Sequence, residues 1–455
     1  MVPDRHWSIA PFISVNNLVF CSRVSSYVVL FNESERKENG VARSLNVTAL
    51  FAGIGGLELG LHRAGHQTTL FCESDTEAAA VLAARFKRIK IMPDVRDVRG
   101  LLKAISPRSN LLTAGFPCTD LSQAGRTQGF EGEQSVLVRE TLELLRRRPF
   151  DHVLLENVPN WRTLHKGRYL EEVVSKLEQL GYCWAFRTID ARAFGIPQRR
   201  RRVFLYATLV GDPREVLFQG NESELEHKRP ITESAHGFYW TEGTRGLGWG
   251  EDCIPTFKGG SAVSIPSPPA ILLPDGRIVT PDIRDAERFQ GFDPGWTDVT
   301  DLRGQQNVLP FRHRRRWSQV GNAVNVEVST WIGQQLRRPQ AATPVSERML
   351  TPGEAWPEAA WGFGGRRWAA DIGAWPVARR AEPLADFLQF SSPLLSERAT
   401  AGFLKRITAS RLRFVPGFKE AVEAHLDVVS AIGNSGPLPG RRSIADIRQV
   451  AVGAE

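Results

Sequence analysis

The stretch Val47-Thr-Ala-Leu-Phe51-Ala-Gly53-Ile54-Gly55-Gly56 sets the fold class of this chain. Val47 to Phe51 reads as a strand, the glycines as a turn, and the residues to about Ala64 as a short helix. Glycine allows φ > 0 and close backbone approach, so a ligand can rest against the N-terminus of that helix. The spacing is not the GxGxxG of dinucleotide folds, and a plain tight turn is the competing reading. Glu73 strengthens the ligand reading, because it ends the next strand, Thr68 to Cys72. A carboxylate there can accept both hydroxyls of a ribose. Turn and acid together point to an adenosine-containing cofactor that needs no pyrophosphate.

Outward from this unit the α/β alternation continues. Thr76 to Phe86 is an alanine-rich helix, Asn110 to Ala114 a strand, Ser135 to Arg147 an amphipathic helix, and Phe150 to Leu155 an apolar strand. A helix from Tyr169 to Leu180 follows, then strands over Cys183 to Thr188 and Arg202 to Ala207. Short apolar runs alternating with helices predict a parallel, doubly wound sheet. Around Gly211 the character changes, and residues 211–280 read as a loop-rich insert of glycine and proline. Helical character returns over Ile283 to Phe289 and Asn325 to Arg337. Past Pro339 an extension begins, with Trp356, Trp361, Trp368 and Trp375 in its first half. These tryptophans suit the packing of a small accessory unit better than contacts to bases.

At 455 residues the chain can bury a large core. Lys plus Arg exceed Asp plus Glu by 58 to 50, a surplus that suits a polyanionic partner without requiring one. Five cysteines (Cys21, Cys72, Cys118, Cys183, Cys253) are widely spaced, with no CxxC pair. That pattern argues against a disulfide framework and a structural zinc site, so no metal is expected. A reducing cytoplasm would leave a thiol free for chemistry. No apolar run has the length of a membrane span. Residues 1–44 differ in character from the rest of the chain. They are expected to be a disordered extension or the product of an upstream start error, with initiation near Val41.

Gly115-Phe116-Pro117-Cys118 follows one of the strands and precedes a polar loop, Thr119 to Gly132. A structural cysteine usually lies inside an apolar run. Cys118 instead stands at the carboxyl end of a strand, where open α/β sheets build their sites. On the tetrapeptide alone a core cysteine is the better reading. Glu156-Asn157-Val158 ends the apolar strand from Phe150. An acid there is costly unless it faces a cleft, where it can give or share a proton. A helix-cap or salt-bridging glutamate is the competing reading. Gln198-Arg199-Arg200-Arg201-Arg202 runs into a strand, whose alternation puts Arg200 and Arg202 on one face.

The ordered set FAGIGG (51–56), Glu73, GFPC (115–118), ENV (156–158), QRRRR (198–202), RDAERFQGF (284–292) and QVGNAV (319–324) resembles the cytosine-C5-specific DNA methyltransferase family of bacterial restriction-modification type. The likeness covers roughly residues 45 to 336, with the motifs in the family's order. It implies an α/β, Rossmann-like sheet of the S-adenosyl-L-methionine-dependent methyltransferases, a smaller target-recognition domain and a C-terminal extension. Cytosine C5 is a poor nucleophile until a thiolate has added across C6, and Cys118 matches the family's nucleophile. Glu156 matches the residue that engages N3 and the amino group, and Asn157 the one that holds the strand end. Arg202, with Arg200 beside it, matches the arginines near O2 that counter developing charge.

The methyl donor implied is S-adenosyl-L-methionine. Phe51 would meet the adenine, Ile54, Gly55 and Gly56 the amino-acid portion, Glu73 the ribose, and Asp94 with Val95 the adenine edge. Pro117, Asn322 and Val324 would line the pocket. The target base must leave the duplex, at about a few kcal/mol. Ser122 and Gln123 are expected to touch DNA in the loop that closes over it, and Arg245, Thr256 and Lys258 in the recognition region. After the cysteine stands Thr-Asp-Leu-Ser122 where many relatives have Gln-x-x-Ser, a minor departure. Arg199 and Arg201 are extra cations expected toward phosphate. Arg284, Glu287 and Arg288 are expected to scaffold the insert by ion pairing. Arg312-His-Arg-Arg-Arg316 either faces the DNA backbone or is solvated.

The expected organisation is an N-terminal extension (1–44), a catalytic cofactor-binding domain (45–208), a target-recognition region (209–281), the rest of the methyltransferase core (282–338) and an accessory extension (339–455). The expected activity is methylation of C5 of a flipped-out cytosine in duplex DNA, protecting host DNA in a restriction-modification or related defence system. Methylation of tRNA cytosine, and a non-catalytic DNA-binding protein on the same fold, are the alternatives. Expected partners are double-stranded DNA and a cognate restriction endonuclease in the same cell. The protein is expected to be a bacterial cytoplasmic, nucleoid-associated monomer with no membrane association.

Overall fold

The computed structural model describes residues 43–116, 133–225, 229–244, 246–258, 268–299 and 313–434. Strand β1 (Asn46–Leu50) is buried along nearly its whole length, and the glycine turn after it feeds α1 (Gly56–Arg63). Then come β2 (Gln67–Cys72), α2 (Thr76–Arg85), β3 (Lys90–Met92), α3 (Val98–Ala104), β4 (Leu111–Gly115), α4 (Glu133–Arg147) and β5 (His152–Asn157). The five strands run parallel in the order β5-β4-β1-β2-β3. Strand order therefore reverses between β1 and β4, and ligands in such sheets bind beyond the carboxyl ends at that reversal.

Next along the chain are α5 (Asn160–Thr163), α6 (Arg168–Gln179), β6 (Cys183–Asp190) and β7 (Arg201–Thr208). Strand β7 inserts between β5 and β6 and runs antiparallel to both. The expected parallel sheet thus describes one half of the observed one. An apolar strand buried on both faces reads alike in either direction, which is why the pattern does not reveal the change.

After α7 (Arg214–Leu217) the insert forms β8 (His236–Phe238), β9 (Trp249–Glu251), β10 (Ala270–Leu272) and β11 (Ile278–Val279). These make a second, antiparallel sheet in the order β11-β10-β8-β9. The chain returns to the core through α8 (Ile283–Phe289), α9 (His313–Asn322) and α10 (Val326–Arg337). Asn325 caps α10, its side-chain oxygen accepting from the Glu327 and Val328 N–H groups. Helix α10 lies hard against α1: a Cβ added at Gly60 would stand 2.3 Å from Ser329 Cβ.

The segment past Pro339 extends the large sheet and covers the small one. It contributes β12 (Glu347–Met349), β13 (Ala359–Phe363) and β14 (Arg366–Ala370), then α11 (Leu384–Phe387), α12 (Glu397–Ala409) and α13 (Phe418–Asn434). Strand β13 pairs antiparallel with β6, so the large sheet has ten strands in the order β12-β14-β13-β6-β7-β5-β4-β1-β2-β3. Trp356 packs edge-on against Trp184 and Phe186, and Trp361 stacks on Trp368 at 4.3 Å between ring centroids. Phe403, Ile407, Phe418 and Val422 of α12 and α13 cover Phe238, Ala270, Leu272 and Ile278 of the small sheet. His425 ties the two together, accepting from the Ile278 N–H and donating to the Leu395 carbonyl. Among the described residues no helix is long and apolar enough to cross a membrane.

Candidate active site

The reversal in strand order brings the carboxyl ends of β1 and β4 side by side. After β1, Phe51 takes φ 53°, a left-handed conformation that a bulky residue seldom adopts. The Gly53 N–H donates to Glu73 Oε2 at 2.7 Å, and the Asp75 N–H donates to Oε1 at 2.8 Å. Burial raises the Glu73 pKa, and these backbone donors pull it back. A carboxylate has about four acceptor positions, so capacity for a further hydroxyl remains. Around Gly53 a Cβ would meet no atom of the described residues within 4 Å, which leaves an open cleft over the turn.

The final sequence motif closes one side of that cleft. A Cβ on Gly56 would lie 2.2 Å from the Val324 carbonyl oxygen, so only glycine lets the two segments touch. Val324 is buried, and Asn322 is exposed at the end of α9. Ile54 is buried, its carbonyl accepting from Trp296 Nε1 at 2.9 Å. Beyond β3, Val95 is buried and the Asp94 carboxylate is gripped by Arg96, which lowers its pKa. The open space, the spare acceptor position on Glu73 and the left-handed turn fit an adenosine-containing ligand.

The ends of β4 and β5 carry the other half. Gly115 ends β4 opposite Glu156 of β5, and a Cβ there would stand 3.4 Å from Glu156 Oε2. Glu156 is buried and pairs with Arg202 of β7, Nε to Oε1 at 3.1 Å. Burial raises the Glu156 pKa, while Arg202 and then Arg200 hold it down. Asn157 Oδ1 accepts from the Val158 N–H at 2.8 Å and fixes the strand end. An acid and a cation in contact at one strand end can grip a heterocycle through a carboxyl and an N–H together.

Arg200 is fully buried, and its two Nη groups donate to carbonyls: Phe257 at 3.3 Å, Gly321 at 3.1 Å and Ala323 at 2.7 Å. It ties the arginine motif to the insert and to the final motif. Arg199 and Arg201, expected toward phosphate, are ion paired with Glu224 and Glu358. The Thr256 hydroxyl donates to the Arg199 carbonyl at 2.7 Å, which brings that part of the insert to the arginine motif. Lys258 pairs with Glu242 at 3.1 Å and lies over the Tyr239 ring. Arg284, Glu287 and Arg288 pair with Asp282, Arg316 and Asp285. From the basic run before Trp317, Arg315 pairs with Glu77 and Arg316 with Glu287, so both are spent inside the molecule.

Pro117, Cys118, Ser122, Gln123 and Arg245 lie outside the described residues. Cys72, Cys183 and Cys253 are buried, and none of them is in a disulfide. Burial pushes the Cys72 thiol up to about 12 and Cys253 to about 11, so neither offers a thiolate at neutral pH.

One group at the site escaped the sequence reading. Glu58, in the first turn of α1, is buried and accepts from the Thr113 hydroxyl at 2.8 Å. Its other oxygen has no partner among the described residues, and burial raises its pKa to about 7. Its place beside Leu57, within a helix whose apolar face turns inward, was the available signal.

The family model described as C-5 cytosine-specific DNA methylase matches residues 45–241. The chain is 43% identical over 371 residues to the type II methyltransferase M2.BsuMI of Bacillus subtilis (strain 168), covering 80% of this chain and 93% of that protein. It is 28% identical over 323 residues to the type II methyltransferase M.DsaV of Dactylococcopsis salina, covering 65% of this chain and 86% of that protein.

Proposed function

The chain belongs to the C-5 cytosine-specific DNA methylase family and is a DNA cytosine-5-methyltransferase; on that premise we propose how its residues divide the work. The substrate is a cytosine flipped out of duplex DNA, since C6 cannot be reached inside the stack. Cys118 adds as thiolate to C6, which makes C5 enamine-like. C5 then takes the methyl group, the C5 proton leaves, and the C6–Sγ bond breaks to free the thiolate.

Glu156 holds N3 and the amino group. Burial raises its pKa, which makes it a better proton acceptor than an exposed carboxylate where the attacked ring must share a proton. Arg202 stands beside it toward O2, and Asn157 keeps the strand end in register. Arg200 acts through its carbonyl bonds, locking insert, arginine motif and final motif together. Thr256, Lys258, Arg245, Ser122 and Gln123 face DNA in this reading. S-adenosyl-L-methionine, when bound, supplies an electrophilic methyl group. Phe51, Ile54, Gly55, Gly56, Glu73, Asp94, Val95, Pro117, Asn322 and Val324 would hold it.

The observation that carries the reading is the Glu156–Arg202 contact at 3.1 Å, beside the strand that leads into Cys118. M2.BsuMI and M.DsaV are both type II methyltransferases, which supports a protective role beside a cognate endonuclease in a bacterial cytoplasm. The division proposed for the chain keeps 45–208 and 282–338 as the catalytic core and 209–281 as the centre of target recognition.

The test offers tritium-labelled cofactor to the full chain with duplex DNA of mixed sequence or with bulk tRNA. Label should enter the DNA, and bisulfite sequencing of that DNA should place it at one short motif. Label in tRNA alone would overturn the substrate, and label in neither acceptor would overturn the activity.

A further inference from the structure

The two strand ends that carry Glu156 and Arg202 are braced by Glu358, which lies beyond residues 45–241 of the family match. Glu358 immediately precedes β13, and its carbonyl accepts from the Thr188 N–H of β6 at 2.8 Å. Its carboxylate takes one guanidinium on each oxygen: Arg162 Nη2 on Oε1 and Arg201 Nη2 on Oε2, both at 2.7 Å. Arg162 sits in α5, directly after Glu156-Asn157-Val158. Arg201 precedes Arg202 in β7, and Arg202 Nη1 donates to the Arg201 carbonyl at 2.8 Å. Any displacement of Arg201 therefore carries Arg202 with it.

Arg162 is buried, and its Nη1 donates to the carbonyls of Trp356 at 3.0 Å and Pro357 at 2.6 Å. Burial works against this cation, Glu358 favours it, and the charge of Arg201 opposes it. Without the carboxylate, buried Arg162 would face half-exposed Arg201 with no anion between them, a repulsion that water screens only on the Arg201 side. We propose that Glu358 is a positioning residue for the Glu156–Arg202 pair, its negative charge holding together two cations that otherwise drive the ends of β5 and β7 apart. The inference rests on the reading that Glu156 and Arg202 act on the base.

Glu358→Gln keeps the length and an acceptor but removes the charge. It should lower kcat about 10–100-fold, the size of effect a displaced catalytic group produces. KM for the cofactor should stay within about twofold, since no cofactor residue is touched. Glu358→Gln combined with Arg201→Gln removes one of the two repelling charges and should recover most of the lost kcat. Glu354→Gln, which breaks an exposed pair with Arg348 in the same segment, should leave kcat unchanged.

Wild-type kcat in Glu358→Gln would overturn the inference. So would a loss that the double variant does not recover, which would mark Glu358 as a plain brace. If Glu358→Gln fails to fold, the double variant decides: near wild-type kcat supports the charge role, and a folded but inactive double variant overturns it. Glu156→Gln and Arg202→Gln in the same assay separate the underlying reading. If those two keep wild-type kcat, that reading fails; if only they lose it, the Glu358 inference alone fails.

Discussion

Glu58 sits where an ionised carboxylate is hard to keep. It is buried, has one hydroxyl donor and feels the charge of Glu73, and its pKa rises from 4.5 to about 7. Because the folded-state pKa is raised, the folded chain binds this proton more tightly than the unfolded chain. The stability so gained is fully present below about pH 4.5 and is lost as pH rises through 7. The difference corresponds to roughly 3 kcal/mol. Glu58→Gln keeps an acceptor for Thr113 and imitates the protonated acid. Denaturant melts should therefore show it more stable than wild type at pH 8, with a flatter profile between pH 5 and 8. Equal slopes in the two proteins would mean that Glu58 does not titrate in this range.

At the scale of elements, the contact of α1 with α10 aligns the glycine turn with the final motif. Gly60→Ala would put a Cβ 2.3 Å from Ser329 Cβ and 2.6 Å from the Thr330 backbone nitrogen, which cannot swing aside. The expected cost is about 1–3 kcal/mol, read as a fall in Tm. Gly53→Ala is the contrast, since its Cβ meets nothing within 4 Å among the described residues and only the left-handed φ of 55° is strained. It should cost about 1 kcal/mol. Its methyl group projects into the cleft, so calorimetry should record weaker cofactor binding despite a small change in Tm. Reversed magnitudes in the two variants would contradict the packing described.

The elements around these glycines were legible from sequence because apolar runs bounded by turn residues carry their own limits. Predicted Val47 to Phe51 is observed as Asn46–Leu50, and Ile283 to Phe289 is observed with the same bounds. Lys90–Met92 is too short to show a period, and the direction of β7 leaves no trace in its composition. At the site, Glu73 and Glu156 were legible because a carboxylate at a strand end breaks an apolar run. The partners of Arg200 were not: backbone carbonyls from two distant segments have no side-chain signature.

For the whole molecule, the segment after Pro339 belongs to the architecture of both sheets. All eight residues of β6 are buried, and β13 covers the edge that β6 would otherwise expose. The apolar face of the small sheet is covered in turn by α12 and α13. Ending the chain after Gln340 should therefore yield an aggregated product and not a smaller active enzyme. A soluble truncation with wild-type turnover would refute this. Sequence reading sets the segment apart because strands of three to five residues set among prolines lack a clear period, and only three-dimensional pairing shows where they belong.

The central claim is covalent catalysis by Cys118 on a cytosine held by Glu156 and Arg202. It is tested most directly by incubating the full chain and S-adenosyl-L-methionine with duplex DNA in which every cytosine is 5-fluorocytosine. Fluorine at C5 cannot leave as a proton does, so the thioether at C6 should persist after methylation. The expected product is a denaturant-resistant protein–DNA complex whose modified peptide contains Cys118, absent in Cys118→Ala. An adduct on Cys72, Cys183 or Cys253, or methylation of ordinary DNA with no adduct on the fluorinated duplex, would contradict it.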